Sequence, residues 1–266
     1  MYQCERERRF IFNHRSKEAV GAQRSISFCR KCLQCFDRQS VVSLFREIFI
    51  YQHYNPPIAL GDKPVIFDVG GNIGLFSIYA AMIFPRPEIH CFEADPTTFD
   101  VLRRNVETYV RTKITVHNVA LSDNYGTTRM VVDLTNPNRC TNTIEQGMLL
   151  ADTSTSSTTS IKKDRLSDYF AEVEKVDFLK IDIEGSEFPV LRDLYQTGSL
   201  KKVRSLTMEV HRHVYENGGD TSNQLSEFLQ QLEEEGFTFD FFAQAARPFS
   251  LMRLNETFMI RGRKDI

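Results

Sequence analysis

The run VIFDVGGNIG, residues 65–74, restricts this chain more than any other stretch. An apolar segment holding a single acid, Asp68, leads into three glycines within five residues. Residues 75–84 then follow with helical spacing, so the order is buried strand, tight turn, helix. In an open α/β sheet, ligands sit beyond the carboxyl ends of the strands. Glycine lets the chain turn sharply there and lets a ligand approach the backbone. The spacing decides which ligand. A dinucleotide fingerprint, G-x-G-x-x-G, counted from Gly70 needs glycine where Asn72 and Leu75 stand; counted from Gly71 it meets Ile73. A P-loop ends in Gly-Lys-Ser/Thr, whereas Gly74 precedes Leu75 and Phe76. Both phosphate-binding patterns are excluded.

S-adenosylmethionine carries no phosphate. Its amino-acid end bears an ammonium and a carboxylate, and its sulfur is cationic. Asp68, just ahead of the glycines, is placed for the ammonium, directly or through water. Glu93 closes the next strand, 19 positions past Gly74. A carboxylate there accepts both ribose hydroxyls. The competing account, a glycine-rich turn beside an unrelated surface acid, has to explain both features separately.

Strand and helix continue to alternate. Strands are expected at 65–69, 89–93, 114–121, 176–183 and 203–210, and helices at 75–84, 97–109, 187–195 and 222–235. The last two strands, 237–242 and 256–261, are joined without a helix, so one of them is antiparallel. This is a doubly wound, mostly parallel α/β domain over 61–266. Residues 127–133 and 157–161 form an inserted hairpin around a polar loop, about 124–161 in all, with the low-complexity tract TSTSSTTS inside it. Residues 1–60 form an N-terminal arm and helical segment. Of these, 1–26 read as a loose polar arm. Residues 40–53 read as an amphipathic helix capped by Ser40 and stopped by Asn55-Pro56-Pro57.

Composition narrows the partners. A net charge of −2 and a pI near 6.3 supply no basic surplus for nucleic acid. No apolar run reaches the roughly 18 residues of a membrane span, and the charged N-terminus lacks a signal-peptide core. The chain therefore reads as cytoplasmic, which leaves Asn255-Glu256-Thr257 an unused glycosylation sequon. Cys29, Cys32 and Cys35 could begin a metal or iron–sulfur site. No fourth cysteine follows nearby, and the plainer reading is thiols on or near an N-terminal helix. Cys91 belongs to a buried strand.

The stretches VIFDVGGNIGLFS, IHCFEADPTTFDVLRRNV, VHNVALSD and DFLKIDIEGSEFPVL resemble the FkbM family of methyltransferases; KIDIEGSE is the most family-specific. The resemblance implies a Rossmann-like class I domain with a seven-stranded sheet, helices on both faces and an antiparallel last strand. It implies S-adenosylmethionine contacts at Asp68, Gly70, Asn72, Gly74 and Glu93, and a polar adenine contact at Ser122 or Asp123. It also implies O-methylation of a hydroxyl on a natural product or sugar. The family loop is close to DVGANIG, so Gly71 here replaces alanine, a departure that should keep the turn.

A second constellation ends the fourth core strand. Alternation puts Lys180, Asp182 and Glu184 on one side. Asp182, Glu184 or Lys180 could orient an acceptor and take its proton. Alternatively, Lys180 and Glu184 simply pair, and Glu187 caps the next helix. Glu209 and His211 end the neighbouring strand on a shared side. His211 is a candidate base, with His213 just beyond. Asp182, Glu184, Glu209 and His211 could also hold a divalent metal, with Asp182, Glu209 and His211 the leading set. Two other readings stand. The first is a protein or nucleic-acid methyltransferase; an N-methylating enzyme of nucleic acid commonly shows Asn/Asp-Pro-Pro-aromatic after the fourth strand, where this chain has Glu184-Gly185-Ser186. A non-catalytic binding module would have little use for intact Asp68, Glu93 and Asp182. Oligomeric state and the acceptor itself stay open.

Overall fold

In the computed structural model, residues 24–28, 31–133, 156–211, 222–242 and 258–264 are described. The chain begins with a two-stranded hairpin, β1 (Arg24–Phe28) and β2 (Lys31–Cys35), followed by α1 (Arg38–Phe45), which runs into a π-helical turn over Arg46–Ile50. The main sheet draws on β3 (Val65–Val69), β4 (Glu88–Glu93), β5 (Ile114–Asn118), β9 (Phe178–Ile181), β10 (Ser205–Val210), β11 (Phe237–Phe242) and β12 (Phe258–Lys264). A three-stranded side sheet holds β6 (Ala120–Ser122), β7 (Gly126–Asp133) and β8 (Ser156–Arg165). The helices around them are α2 (Leu75–Ile83), α3 (Pro96–Tyr109), α4 (Leu166–Ala171), α5 (Glu187–Gln196) and α6 (Ser222–Glu234).

The seven-stranded sheet has the order β11-β12-β10-β9-β3-β4-β5. Neighbours from β10 to β5 run parallel. β12 is antiparallel to both β10 and β11, as the helix-free connection required. Order reverses between β3 and β9, because β4 and β5 lie on one side and β9 and β10 on the other. Such a reversal opens a crevice at the carboxyl edge, and the glycine loop stands at it.

One large core covers each face. Phe67, Leu179, Leu206 and Ile260 pack with α5 and α6 residues such as Leu194 and Leu232. Ile66, Ile89 and Phe178 pack with α2 and with Phe28, Leu33 and Val41 of the N-terminal segment. The hairpin and α1 therefore share a core with the sheet. Asn105, fully buried on α3, anchors them: its Oδ1 accepts from Gln34 N (2.8 Å), and its Nδ2 donates to Gln34 O (3.0 Å) and Ile73 O (2.8 Å).

Several expectations change. Residues 24–26, read as part of a loose arm, lie in β1; residues 1–23 lie outside the described residues. Cys32 and Cys35 sit on a strand rather than a helix, one exposed and one buried, because a separation of three puts side chains on opposite faces of a strand. Cys29 lies outside the described residues. Asp37, not Ser40, caps α1: its Oδ2 accepts from Ser40 N at 2.8 Å. The segment 114–121 breaks into β5 and β6, which join different sheets. Helix α4 was not foreseen. The inserted hairpin is present as β7 and β8, in antiparallel register from Gly126–Lys163 to Asp133–Ser156. The 134–155 loop and the Asn255 sequon lie outside the described residues. Among the described residues no helix is long and apolar enough to cross a membrane.

Candidate active site

A cavity of about 620 Å³ opens at the carboxyl edge of β3, β4, β9 and β10. Its first end is built from backbone. Gly70 turns with φ of +89°, and a Cβ there would lie 1.7 Å from the Asp182 carbonyl oxygen, so only glycine fits. Gly70 N and Gly71 N both donate to Phe92 O, at 3.0 and 2.7 Å, tying the loop to β4. Asn72, in the left-handed region at φ 48°, donates its N–H to Glu93 Oε2 at 2.9 Å. Glu93 Oε1 accepts from Asp95 N at 2.9 Å. The carboxylate is thereby locked against the loop, and burial pushes its pKa up to about 7. Beside it runs a mostly apolar slot of Ala94, Val119, Ala120, Leu121 and Met130. A carboxylate next to an apolar slot has the chemistry to receive a nucleoside, with the diol at the acid and the base in the slot. Lys180 is the one Lys or Arg among the described residues lining the cavity, and it is already engaged, so a phosphate would find no countercharge.

Three cofactor expectations meet obstacles. Asp68 is wholly buried and does not line the cavity. Its Oδ2 accepts from Ser77 Oγ at 2.7 Å and its Oδ1 lies 3.2 Å from Lys180 Nζ, so a direct ligand contact is blocked. Ser122 and Asp123 also lie outside the lining. Asp123 Oδ2 is held by Arg192 Nη1 at 2.8 Å, and Ser122 Oγ reaches Asp123 at 3.4 Å. Gly71 is more than a mild departure. An added Cβ would stand 2.3 Å from Cys91 Sγ and 2.7 Å from Leu102 Cδ1, because the neighbouring thiol fills the space an alanine methyl would take. Gly74 (φ +88°) has room around it and precedes α2.

The second end is built from side chains. Lys180, buried on β9, donates to Gly70 O at 2.7 Å, pairs with Asp68 and lies 3.7 Å from Asp182 Oδ2. Burial opposes its charge, but the Asp68 and Asp182 carboxylates outweigh it and raise its pKa. Asp182 is anchored at its backbone, N to Val69 O at 3.0 Å. Glu184 follows at φ 53°, an uncommon conformation for a side-chain-bearing residue. It does not pair with Lys180; its Oε2 lies 3.5 Å from His211 Nε2. Glu187 opens α5, accepts from Gly185 N at 3.1 Å and contacts His211 Nδ1 at 2.7 Å. It ties the loop before the helix to the imidazole, and it does not cap α5, whose N-cap is Ser186 with no side-chain cap bond. Burial alone would depress His211, but Glu187 and then Glu184 override it and hold its pKa well above the usual histidine range. Burial pushes Glu184 up to about 8 and Glu209 up to about 7. His213 lies outside the described residues.

Two cavity residues escaped sequence reasoning. Tyr54 Oη lies 2.5 Å from Glu209 Oε2 and 3.0 Å from Asp182 Oδ2, and its ring sits 5.1 Å from Lys180 Nζ. One phenolic proton serves one acceptor, so a proton on Glu209 lets both contacts be hydrogen bonds. Glu47, on the π-helical turn, faces Asp182 across the cavity. A turn of this kind marks functional sites often enough to be a signal, but it is not visible in residue spacing.

Residues 68–239 match the family model described as the methyltransferase FkbM domain. The 31-O-demethyl-FK506 methyltransferase FkbM of Streptomyces tacrolimicus is 31% identical over 226 residues, covering 73% of this chain and 81% of that protein. Methyltransferase 1 of Beauveria bassiana is 30% identical over 166 residues, 57% of this chain and 66% of its own. The hexuronic acid methyltransferase AglP of Haloferax volcanii is 29% identical over 153 residues, 58% of each chain.

Proposed function

Because this chain belongs to the FkbM family of S-adenosylmethionine-dependent methyltransferases, we propose that it methylates a hydroxyl on a small molecule or sugar. The cofactor supplies an electrophilic methyl on a sulfonium. Gly70, Asn72 and Glu93 would hold it at the backbone end of the cavity, Gly74, outside the lining, would shape the turn into α2, and Asp68 would act one step back by fixing Lys180. The chain's remaining work is to orient the acceptor oxygen and take its proton. Asp182 is the group assigned to that proton. The observation carrying this is its position: its backbone packs on Gly70 and its side chain lines the cavity. Tyr54 and Lys180 both approach its Oδ2. His211, kept cationic by Glu187, positions Glu184 rather than accepting a proton itself.

Calorimetry with S-adenosylhomocysteine tests the cofactor end; absence of binding overturns the reading. Asp182→Asn tests the chemistry. Loss of a general base costs roughly 10²–10⁴ in rate, so kcat falls by about that factor while S-adenosylhomocysteine affinity stays within about twofold. An unchanged kcat removes Asp182 from the role.

A divalent cation is a second reading that one observation favours. Ligand atoms of Asp182, Glu184 and His211 all lie within 4.8 Å of one another. Glu187 behind His211 supplies the outer carboxylate that such imidazoles usually have. The set differs from the leading set read from the strand ends, because Glu184 takes the place of Glu209, whose Oε2 is held by Tyr54. A bound cation would lower the pKa of the acceptor hydroxyl. Activity that persists in full after treatment with a strong chelator ends this reading.

A further inference from the structure

The wall facing Asp182 comes from a segment outside the family match, which starts at residue 68. Along α1 and its π-helical turn, Ser40, Ser43, Leu44, Glu47 and Ile48 line the cavity at helical intervals. The π turn is closed by Tyr51 N donating to Arg46 O at 2.7 Å, with His53 N on Glu47 O at 3.0 Å beyond it. The backbone of Glu47 is thus fixed. Among the described residues no cationic side chain forms an ion pair with its carboxylate, which lines the cavity.

This end is rich in acids and short of free cations. Glu47, Asp182, Glu184 and Glu209 all line it. The cations present are committed: Lys180 to Asp68 and Gly70 O, His211 to Glu187. A separate observation points to a missing partner. Ser186 Oγ is buried, with the residue 1% exposed, lines the same cavity and has no hydrogen-bond partner among the described residues. Hydroxyls and carboxylates around a partly apolar wall bind molecules rich in hydrogen-bond donors. They disfavour an anion, which meets acids and finds no free countercharge among the described residues that line the cavity.

We propose that Glu47 is a specificity-determining residue of the acceptor site, and that the acceptor it selects is a neutral or amino-bearing polyol, not an anionic one. This rests on the methyltransferase reading above and names the acceptor class for it. Glu47 receives hydroxyl or ammonium donors adjacent to the methylated hydroxyl, as Glu93 is placed to receive the ribose diol at the other end. Ser43 and Ser186 supply further hydroxyl contacts. The hexuronic acid methyltransferase that this chain resembles is named for an acidic sugar, so the inference separates the two on charge.

The test uses the purified chain with S-adenosylmethionine and three acceptors at equal concentration: a methyl glucoside, a methyl glucosaminide and a methyl glucuronoside. S-adenosylhomocysteine formation is the readout. The expected result is turnover of the neutral or the amino sugar at least about tenfold faster than of the uronide. Which of the first two leads tells whether hydroxyl or ammonium faces Glu47. Glu47→Gln keeps the shape and removes the charge. Its acceptor KM rises about tenfold with kcat within about twofold, the pattern of lost uniform binding, and its discrimination against the uronide shrinks. Cofactor KM stays constant, which separates this from misfolding. The proposal is overturned if the uronide is the best acceptor, if none of the three is turned over by protein that binds S-adenosylhomocysteine, or if Glu47→Gln leaves acceptor KM and discrimination unchanged. Protein that does not bind S-adenosylhomocysteine overturns the underlying methyltransferase reading as well.

Discussion

The glycine-loop end of the cavity is held by backbone N–H groups, whereas the opposite end is held by side chains from separate segments of the chain. At the first, Gly70, Gly71 and Asn72 bond to β4 through their own N–H groups, and Glu93 is the one acid engaged with the loop. At the second, Tyr54 reaches Asp182 across 128 positions of chain and Glu209 across 155. Backbone geometry tolerates almost no change at a positive φ. A side-chain network can lose a member and keep its shape. The two ends should therefore fail differently when disturbed.

The sharpest break is Gly70→Ala. Its Cβ would meet a backbone oxygen at 1.7 Å, and Asp182 cannot move without dragging β9. The variant is expected to lose S-adenosylhomocysteine binding entirely, with a lowered thermal midpoint; wild-type affinity in calorimetry would show that the loop is not rigid. Tyr54→Phe disturbs the opposite end. It removes a hydroxyl that contacts two carboxylates. Hydrogen bonds to charged groups contribute about 1.5–3 kcal/mol, so kcat should fall about 10- to 100-fold with cofactor affinity unchanged. A variant that loses cofactor binding instead would erase the distinction between the ends. The mildest change is Gly71→Ala, which restores the common family residue. Overpacking of this kind costs about 1–3 kcal/mol, read as a thermal midpoint lower by several degrees. Adding Cys91→Ala should recover part of it, since Cys91 Sγ stands at 2.3 Å, while Leu102 at 2.7 Å still resists. No recovery would mean the thiol is not what excludes the methyl.

This contrast also explains what was legible beforehand. The loop, Glu93 and the alternating core strands could be read because glycine spacing and apolar periodicity act over a few residues. The expected sheet, its antiparallel β12 and the inserted β7–β8 pair all follow from such local patterns. The surroundings of Asp68 are not legible because the same pattern cannot say what lies behind a strand; Ser77 and Lys180 pack against it. The pairing of Lys180 with Glu184 failed because Glu184 leaves the strand at φ 53°, where alternation no longer applies. Tyr54 and Glu47 carried no local signal. The first stands between the expected helix end at 53 and the Asn55-Pro56-Pro57 stop, the second inside the expected amphipathic helix. Only tertiary packing brings them to Asp182.

Asn105 joins what the two ends otherwise keep apart. One amide grips strand β2 at Gln34 and the cofactor loop at Ile73 O. Through that grip, seating of the hairpin and filling of the loop become linked equilibria, and linkage is reciprocal. Whatever factor a docked hairpin adds to cofactor affinity, bound cofactor must return to hairpin docking. The wall carrying Glu47 follows that hairpin in the chain, so one buried amide stands between the loop and the segment that carries Glu47.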